Sequence, residues 1–566
     1  MENLSDKWTD RLWTVGLLIA ALLLFTIDLG NLPLRDWDEG IVAKVAREIS
    51  RTPGQFNWLY PTLDGTPYFN KPPLIHWLIA LNYQVFGVNE WSSRLPGAIL
   101  TAISVPFLYS IGREIFVRRT GAIFAALVYL TFLPVVRNGR LAMLDGAVIC
   151  FFLLSVWCLL RSRRNLRYTF GIGIGLGCIC LTKGIVGILL AAILVLFIAW
   201  DTPRLLTSWY LYTGLLLGIM PMLSWYISQW LHYGQTFIGG HVFNQSLQRI
   251  WDTVEGNTGP PWYYLLEILK YSWPWLLFLP QAFIFAWENR NLGWSKLVIV
   301  WSAGYFFIIS AMSTKLPWYI LPVYPALALA IGPYLAEIWH SRFSFYLSDI
   351  LVNSHHIKIL ELENIANNVE DLENQGNFNI NNDNFISINP YCRAWLIILG
   401  ILAVGGWCAS IYFGFFAPLS ERDLLITLVA AALTFTITAF LIYQRDRLFL
   451  SILCWGCYVT LLLFVNSNHW VWELAEAYPV KPVAAIIKNT TPEKTIVYTS
   501  YSYTRPSLDF YSDRQVVPLN SLELQQTWQK LSQPYFLIDN SSLPKLNLPQ
   551  IKPLASAKGW SLITKE

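Results

Sequence analysis

The sequence predicts an α-helical protein that crosses a membrane many times and ends in a small α/β domain. Composition is the first observation: 55% of the 566 residues are hydrophobic and only 13% are charged, about half the charged share of soluble domains. The second is a series of apolar stretches long enough to cross a bilayer. The net charge of +4 is small for this length, so no nucleic-acid partner is expected.

Thirteen stretches qualify as membrane-spanning helices, since such a helix needs about 20 mostly apolar residues. They are 12–29, 95–112, 120–136, 142–160, 168–182, 184–200, 209–231, 263–287, 294–312, 317–337, 393–413, 424–443 and 448–465. The first is too long for a cleaved signal peptide and lacks an A-x-A site. Glycines at 171, 173, 175 and 177 give G-x-x-x-G spacing in the fifth stretch, which predicts close approach of a neighbouring helix.

Basic residues accumulate in alternate short loops, and this predicts the orientation of the chain. If the N-terminus is cytoplasmic, every even-numbered loop is too. Those loops carry Arg113, Arg118, Arg119, Arg161, Arg163, Arg164, Arg167, Arg204, Arg290, Lys296, Arg445 and Arg447. The odd-numbered loops and the C-terminal tail are therefore expected on the extracytoplasmic side.

Polar segments divide the chain into a transmembrane domain, 1–465, and a soluble extracytoplasmic α/β domain, 478–566. The tail alternates helix-like and strand-like pieces, which indicates the α/β class. Residues 30–94 form a long first outer loop, and 232–262 form a second one. Residues 338–392 are Asn-rich and are interpreted as a cytoplasmic insertion.

The first outer loop opens with an acidic cluster, Asp36-Trp37-Asp38-Glu39. Ionisable residues that converge at a membrane boundary favour a functional site. The alternative is structural, because Asp36 or Asp38 could cap the helical pattern that follows. For this cluster the two interpretations are evenly balanced.

Basic residues on the same side of the membrane supply the opposite charge. Lys71 precedes Pro72 and Pro73, which hold the chain extended and present the lysine at a defined place; the alternative is a snorkelling interfacial lysine. The other outer ionisable groups are Arg140, Asp145, Lys183, His241, Arg249 and Lys315. We therefore expect acids and bases from distant positions to share one outer cavity.

Such a cavity suits a substrate that joins a phosphate to a long hydrocarbon tail. Arginine and lysine hold phosphate, and a carboxylate can take a proton from an attacking hydroxyl. No P-loop or dinucleotide-binding glycine pattern occurs in the sequence, so no nucleotide site is predicted.

Three motifs resemble glycosyltransferase family 39, in particular its bacterial branch, which includes the lipid A aminoarabinose transferase and relatives of the protein O-mannosyltransferases. They are the acidic cluster with its helix, the run from Trp58 through Gly65-x-Pro67-Tyr68-Phe69-x-Lys71-Pro72-Pro73-Leu74 to Arg94-Leu95-Pro96, and Lys315-Leu316-Pro317-x-Tyr319-Ile320-Leu321-Pro322. A shorter match is Thr182-Lys183-Gly184. The resemblance implies a GT-C fold with about thirteen transmembrane helices in a bacterial plasma membrane.

The resemblance also implies an activity: transfer of a sugar, with inversion, from a polyprenyl-phosphate donor to a lipid, glycan or protein acceptor on the outer face. Asp38 matches the family's main catalytic residue and Asp145 a second acid. Substrate-binding roles fall to Glu39 in the first-loop motif, to Lys71 and Arg249 on the donor phosphate, and to Tyr319 near the head group. Lys315 and His241 are added on weaker grounds.

Two departures concern a metal. Lipid A-type members carry an acid where this chain has Asn70, and Asn244 stands where a histidine is expected five residues before Arg249. We therefore assign no cofactor and no metal ligand, and a divalent cation stays an open alternative.

Two other functions compete with the transferase. A transporter or flippase of lipid-linked sugar would show internal repeats and charges near the bilayer midplane, whereas these ionisable groups lie at one boundary. A scaffold whose outer domain binds partners would not need clustered acids and cations.

Overall fold

The computed structural model describes residues 4–51, 56–253, 256–340, 390–418, 421–471 and 479–566. Residues 341–389 of the predicted Asn-rich insertion lie outside the described residues. The chain forms two compact units, one of residues 1–332 with 464–566 and one of residues 333–463.

Helices dominate the structure, as the composition predicts. The described α-helices of seven or more residues are α1 Leu4–Thr26, α2 Asp38–Arg51, α3 Leu74–Phe86, α4 Glu90–Ile115, α5 Arg119–Leu130, α6 Leu133–Arg140, α7 Asp145–Ser162, α8 Thr169–Lys183, α9 Val186–Asp201, α10 Trp209–Tyr233, α11 Tyr263–Tyr271, α12 Leu279–Glu288, α13 Gly293–Ala311, α14 Tyr324–His340, α15 Pro390–Phe415, α16 Asp423–Tyr443, α17 Phe449–Val465, α18 Val480–Thr490, α19 Pro506–Ser512 and α20 Ser521–Lys530. A π-helix, Ile238–Leu247, and a 3₁₀ segment, Pro317–Val323, carry further residues of interest.

The protein is a multi-span membrane protein. Every predicted stretch is helical for most of its length, and within the described residues eight helices are long and apolar enough to cross a membrane, or nine if α5 and α6, bent by 58°, form one span. Helix α9 and helix α17 are apolar but shorter. Helices α11 and α12 divide the predicted stretch 263–287. The number thirteen therefore stays a prediction.

Helices α8 and α10 approach each other through glycines, as the G-x-x-x-G spacing predicts. A Cβ atom added to Gly218 would lie 2.3 Å from the carbonyl carbon of Gly173, and one added to Gly177 would lie 2.9 Å from the carbonyl oxygen of Gly218. Small residues allow this backbone contact. Lys183 is the last residue of α8.

The C-terminal α/β class is confirmed. Five strands, β3 Ile496–Thr499, β4 Gln515–Pro518, β5 Tyr535–Asp539, β6 Ile551–Ala557 and β7 Trp560–Lys565, form a mixed sheet in the order β4-β3-β5-β7-β6. A two-stranded ribbon, β1 Thr62–Leu63 and β2 Thr66–Pro67, belongs to the first outer loop.

Alternation along β5 explains how both faces of this sheet are covered. Leu537 packs with Val483, Ile487 and Leu508 on one face, and Phe536 packs with Trp528 on the other. Successive side chains of a strand point to opposite faces, so a strand with both faces apolar needs helices on both sides.

Helix α19 of this domain packs directly on α2 of the first outer loop. Asp36 accepts hydrogen bonds from Arg505 Nη1 at 3.0 Å and from Ser507 Oγ at 2.6 Å. Further along α2, Lys44 Nζ lies 2.5 Å from Asp509 Oδ2. The C-terminal domain therefore holds the helix that begins at Asp38.

Gly40 lies at the closest point of this contact, where a Cβ atom would be 2.8 Å from the backbone nitrogen of Ser507. Because backbone atoms cannot yield as a flexible side chain does, we expect Gly40→Ala to lower the free energy of unfolding by about 1–3 kcal/mol, as overpacking does. Denaturant titration of the purified protein would measure this loss. Gly16→Ala is the matched control, since nothing lies within 4 Å of a Cβ atom there. Equal stability of the two variants would contradict the prediction.

Candidate active site

One cavity of about 700 Å³ brings together most of the predicted site residues. Its charged and phenolic lining residues are Asp38, Lys71, Asp145, Lys183, Arg249, Tyr68 and Tyr319. These side chains come from the first outer loop, from the ends of α7 and α8, from the second outer loop and from the segment 317–323. The predicted meeting of distant acids and bases in one pocket is present.

Asp38 is the first residue of α2 and lines the cavity with a partly exposed side chain. Its Oδ2 lies 3.3 Å from Nη2 of Arg35. The helix dipole also favours a negative charge in the first turn. The carboxylate of Asp38 can therefore stabilise the start of α2 and face the cavity at the same time.

Lys71 lies in the cavity wall just before the two prolines that lead into α3. Burial and the positive charges of Arg249 and Lys183 lower the pKa of Lys71 to about 7. Loss of solvent and like-charge neighbours both disfavour the ammonium form. The site is therefore short of negative charge and fits an anion.

Arg249 follows the π-helix Ile238–Leu247 and lines the same cavity. Its Nη2 donates to Oε1 of Gln245 at 3.2 Å, while its buried Nε has no hydrogen-bond partner. Gln245 also lines the cavity and was missed by sequence reasoning. The spacing of His241, Gln245 and Arg249, four residues apart, is the signal that places them on one helix face.

Asp145 and Lys183 form an ion pair in the cavity, with Nζ 2.6 Å from Oδ1. The same ammonium lies 5.3 Å from the ring centroid of Tyr319, within the range of a cation–π contact. Gly184, at φ +55°, ends α8 directly after Lys183. Asp145 therefore reaches the cavity already paired with Lys183, and its catalytic role stays a prediction.

His241 does not line this cavity but an adjoining one, which shares Asp145 and Arg249 with it. Both ring nitrogens of His241 have partners. Nδ1 donates to the carbonyl oxygen of Phe69 at 2.7 Å, and Nε2 accepts from the Tyr226 hydroxyl at 3.0 Å. Burial lowers the pKa of His241 to about 4, so the ring is neutral. This geometry supports holding the backbone two residues before Lys71, and not a charged contact to substrate.

Glu39 does not line the cavity, so the geometry does not support its predicted substrate contact. Its carboxylate is fully buried, receives two 2.8 Å bonds from Arg94, and also accepts from the backbone nitrogens of Arg35 and Ala142. Burial alone would raise its pKa, but the charge and hydrogen bonds of Arg94 lower it. Glu39 instead ties the start of α2 to α4 and to the segment before α7.

Lys315 is also absent from the cavity lining, and its predicted substrate contact is not supported. Its Nζ donates to the carbonyl oxygens of Ile309, Ser310 and Met312 at the end of α13. A lysine in this position satisfies carbonyls that a helix end leaves free and complements the helix dipole.

Asn70 and Asn244, the two departures from the family pattern, are placed differently in the structure. Asn70 lines the cavity, whereas Asn244 is exposed. Within the described part of the chain, no group of three or more His, Cys, Asp or Glu side chains could hold a metal ion.

The fold is similar to that of a protein of known structure, ArnT. It matches the crystal structure of ArnT from Cupriavidus metallidurans bound to undecaprenyl phosphate with a TM-score of 0.74, over 98% of each chain and at 18% identity. The apo structure of the same ArnT gives a TM-score of 0.70, with 98% of this chain and 97% of that chain covered at 18% identity.

Sequence comparisons confirm the predicted resemblance to family 39. A family model described as dolichyl-phosphate-mannose-protein mannosyltransferase matches residues 70–227. Undecaprenyl phosphate-alpha-4-amino-4-deoxy-L-arabinose arabinosyl transferase 2 of Pseudomonas fluorescens is 28% identical over 58% of this chain and 60% of its own length. The corresponding transferase of Shewanella sediminis is 26% identical over 69% of each chain. The chain thus spans about 60% of the length of the Pseudomonas relative.

Proposed function

We propose that this protein is an inverting glycosyltransferase of the bacterial plasma membrane. It takes a sugar from undecaprenyl phosphate and transfers it to an acceptor on the outer face. The observation that carries this proposal is that Asp38, Lys71 and Arg249 line one cavity. The relatives' names suggest 4-amino-4-deoxy-L-arabinose as the first sugar to test.

The proposed reaction needs one base and a site for an anionic leaving group. The acceptor oxygen attacks the anomeric carbon and forms the new glycosidic bond, while the bond from that carbon to the phosphate oxygen breaks. Asp38 takes the hydroxyl proton. The leaving undecaprenyl phosphate departs as an anion on Lys71 and Arg249, so no general acid is required.

Asp145 and Lys183 have a different proposed role in this site. Because each neutralises the other, Asp145 is held close to Lys183 and does not compete with Asp38 for the proton. We propose that the pair sets the position of the lysine charge beside the donor head group, next to Tyr319.

A reconstituted transfer assay tests the function. The purified protein in lipid nanodiscs is incubated with undecaprenyl-phosphate-linked aminoarabinose and lipid A, and products are identified by mass spectrometry. A glycosylated acceptor and free undecaprenyl phosphate support the proposal. In proteoliposomes, labelled donor that crosses the bilayer without any new covalent product would instead indicate the flippase.

Donor binding should depend on pH because the pKa of unliganded Lys71 is about 7. Below this pH the ammonium is present; above it, the charged fraction falls about tenfold per pH unit. Binding of undecaprenyl phosphate should therefore weaken from pH 7 to pH 9, a range above the second phosphate pKa of about 6. Lys71→Arg should remove most of this dependence, since arginine stays charged.

Fluorescence titration with undecaprenyl phosphate at each pH measures the effect. Lys552→Arg, on an exposed strand of the C-terminal sheet, is the matched control and should keep the wild-type pH profile. Affinity of the wild-type protein that is constant from pH 7 to pH 9 would contradict the assignment of Lys71.

A further inference from the structure

A second polar cavity, of about 280 Å³, lies where the C-terminal domain meets α2 and the start of α4. None of its lining residues lines the candidate active site. It is bordered by four basic side chains, Arg47, Arg51, Lys481 and Lys488, and by two carboxylates, Glu90 and Asp513. The cavity therefore carries an excess of positive charge.

The two carboxylates are already matched by cations. Arg51 makes bonds of 2.6 and 2.9 Å to the two oxygens of Asp513, and Lys481 Nζ lies 2.5 Å from Glu90 Oε1. Lys488 is exposed and forms no ion pair with any residue that the structure describes. Arg47 Nη1 also lies 3.3 Å from Asp513 Oδ1. Three basic side chains therefore share two carboxylates as a domain contact, and Lys488 adds a further positive charge.

Arg47 supplies an independent indication of a ligand. Its side chain is buried, with 6% of the residue exposed, and Nη1 donates to the Phe510 carbonyl oxygen at 2.6 Å. Its Nε is buried without a hydrogen-bond partner. An unmatched buried donor on a guanidinium is costly, and an anionic oxygen in the cavity would satisfy it.

An apolar groove of about 370 Å³ runs between α3 and α4. It is lined by Leu78, Leu81, Val85, Leu95, Ile99 and Leu100, together with Asn82 and Pro96. The turn that joins these two helices, residues 87–89, contributes Val88 and Asn89 to the wall of the cationic cavity, so the groove and the cavity involve the same helix pair. Leu81, Val85 and Phe86 are all exposed, as expected for a surface that lipid covers.

We propose that the cationic cavity and the apolar groove together form a binding site for an anionic phospholipid, separate from the candidate active site. The phosphate of the lipid lies among Arg47, Arg51 and Lys488, and an acyl chain lies along the groove between α3 and α4. Basic clusters next to a membrane attract anionic lipid head groups. Arg47 and Arg51 lie near the C-terminal end of α2, whereas Asp38 is its first residue.

Retention of lipid by the full-length protein tests this inference without a transfer assay. The purified protein is loaded with phosphatidylglycerol or phosphatidylcholine, and the bound lipid is counted by native mass spectrometry. We expect preferential retention of phosphatidylglycerol. Lys488→Glu should weaken that retention by about fivefold or more, since a single basic group near a membrane changes lipid affinity by about that factor.

Two variants act as controls. Lys552→Glu makes the same charge change on the C-terminal sheet away from the cavity and should retain phosphatidylglycerol as the wild type does. Lys71→Ala removes a cation of the candidate active site and should also leave retention unchanged. Loss of retention in Lys71→Ala with none in Lys488→Glu would place the bound lipid in the active-site cavity and overturn the inference.

The competing sources of phosphate give different results. Inorganic phosphate that displaces the lipid at equal concentration would show a simple anion site, and equal retention of both lipids would show binding through the acyl chains alone. Either result overturns the proposal. Because transfer is not measured, failure here leaves the proposed function untouched, and failure of the transfer assay leaves this site untouched.

Discussion

Replacing Asp38 with asparagine is expected to lower the turnover of sugar transfer by about 10²–10⁴-fold, the usual contribution of a positioned general base. Asparagine has nearly the same shape and keeps an acceptor for Arg35, whose Nη2 lies 3.3 Å from Oδ2. It cannot take a proton from the acceptor hydroxyl. Binding of undecaprenyl phosphate should be nearly unchanged, because Lys71 and Arg249 hold the phosphate.

The measurement is kcat of transfer together with the dissociation constant of undecaprenyl phosphate. Asp28→Asn is the matched control, since Asp28 is exposed at the end of α1 with φ +47°, a conformation that asparagine also tolerates. Turnover in Asp38→Asn within about threefold of the Asp28→Asn control would remove Asp38 from the mechanism, since a general base contributes far more.

Replacing Arg94 with leucine is expected to cost about 3–5 kcal/mol of folding free energy, the range for breaking a buried ion pair from one side. Arg94 and Glu39 are both fully buried. The guanidinium makes two bonds to Glu39 and also donates to the carbonyl oxygens of Leu29, Leu32 and Pro33. Without it, a carboxylate and three carbonyl groups lose their partner inside the protein.

Unfolding by denaturant titration measures this loss. Arg113→Leu is the matched control on the same helix, because Arg113 pairs with Asp10 at 3.0 Å in a partly exposed position and such pairs contribute about 0–1 kcal/mol. If Arg94→Leu and Arg113→Leu unfold at the same denaturant concentration, the buried pair does not hold α2 in place.

Several features of the site could be predicted from the sequence because they follow from local chemistry. The acidic cluster placed Asp38 at the start of a helix, and the two prolines placed Lys71 at a defined turn. The basic residues of alternate loops predicted one common side of the membrane for Asp38, Lys71, Asp145 and Arg249. The structure brings all four into one cavity.

Other features could not be read from the sequence because they depend on which group a side chain meets. Glu39 and Asp38 are neighbours in one acidic cluster, yet Glu39 is bound to Arg94, 55 positions away. Lys315 stands in a family motif, but it caps the end of the preceding helix, α13. Gln245 is uncharged, so residue type did not single it out, although it accepts a hydrogen bond from Arg249 four residues away.

By itself, the sequence determined the membrane class, the helical stretches, the α/β character of the tail and the types of ionisable side chain that the polar loops carry. These features depend on the hydrophobicity and periodicity of the residues, which can be read from short segments of the sequence. Only the tertiary structure decided which ions are already paired, which face the cavity, and that the tail packs on the helix of Asp38. The physical reason is that the role of a charged side chain inside a protein depends on the group with which it pairs. The paired residues here lie tens to hundreds of positions apart in the chain.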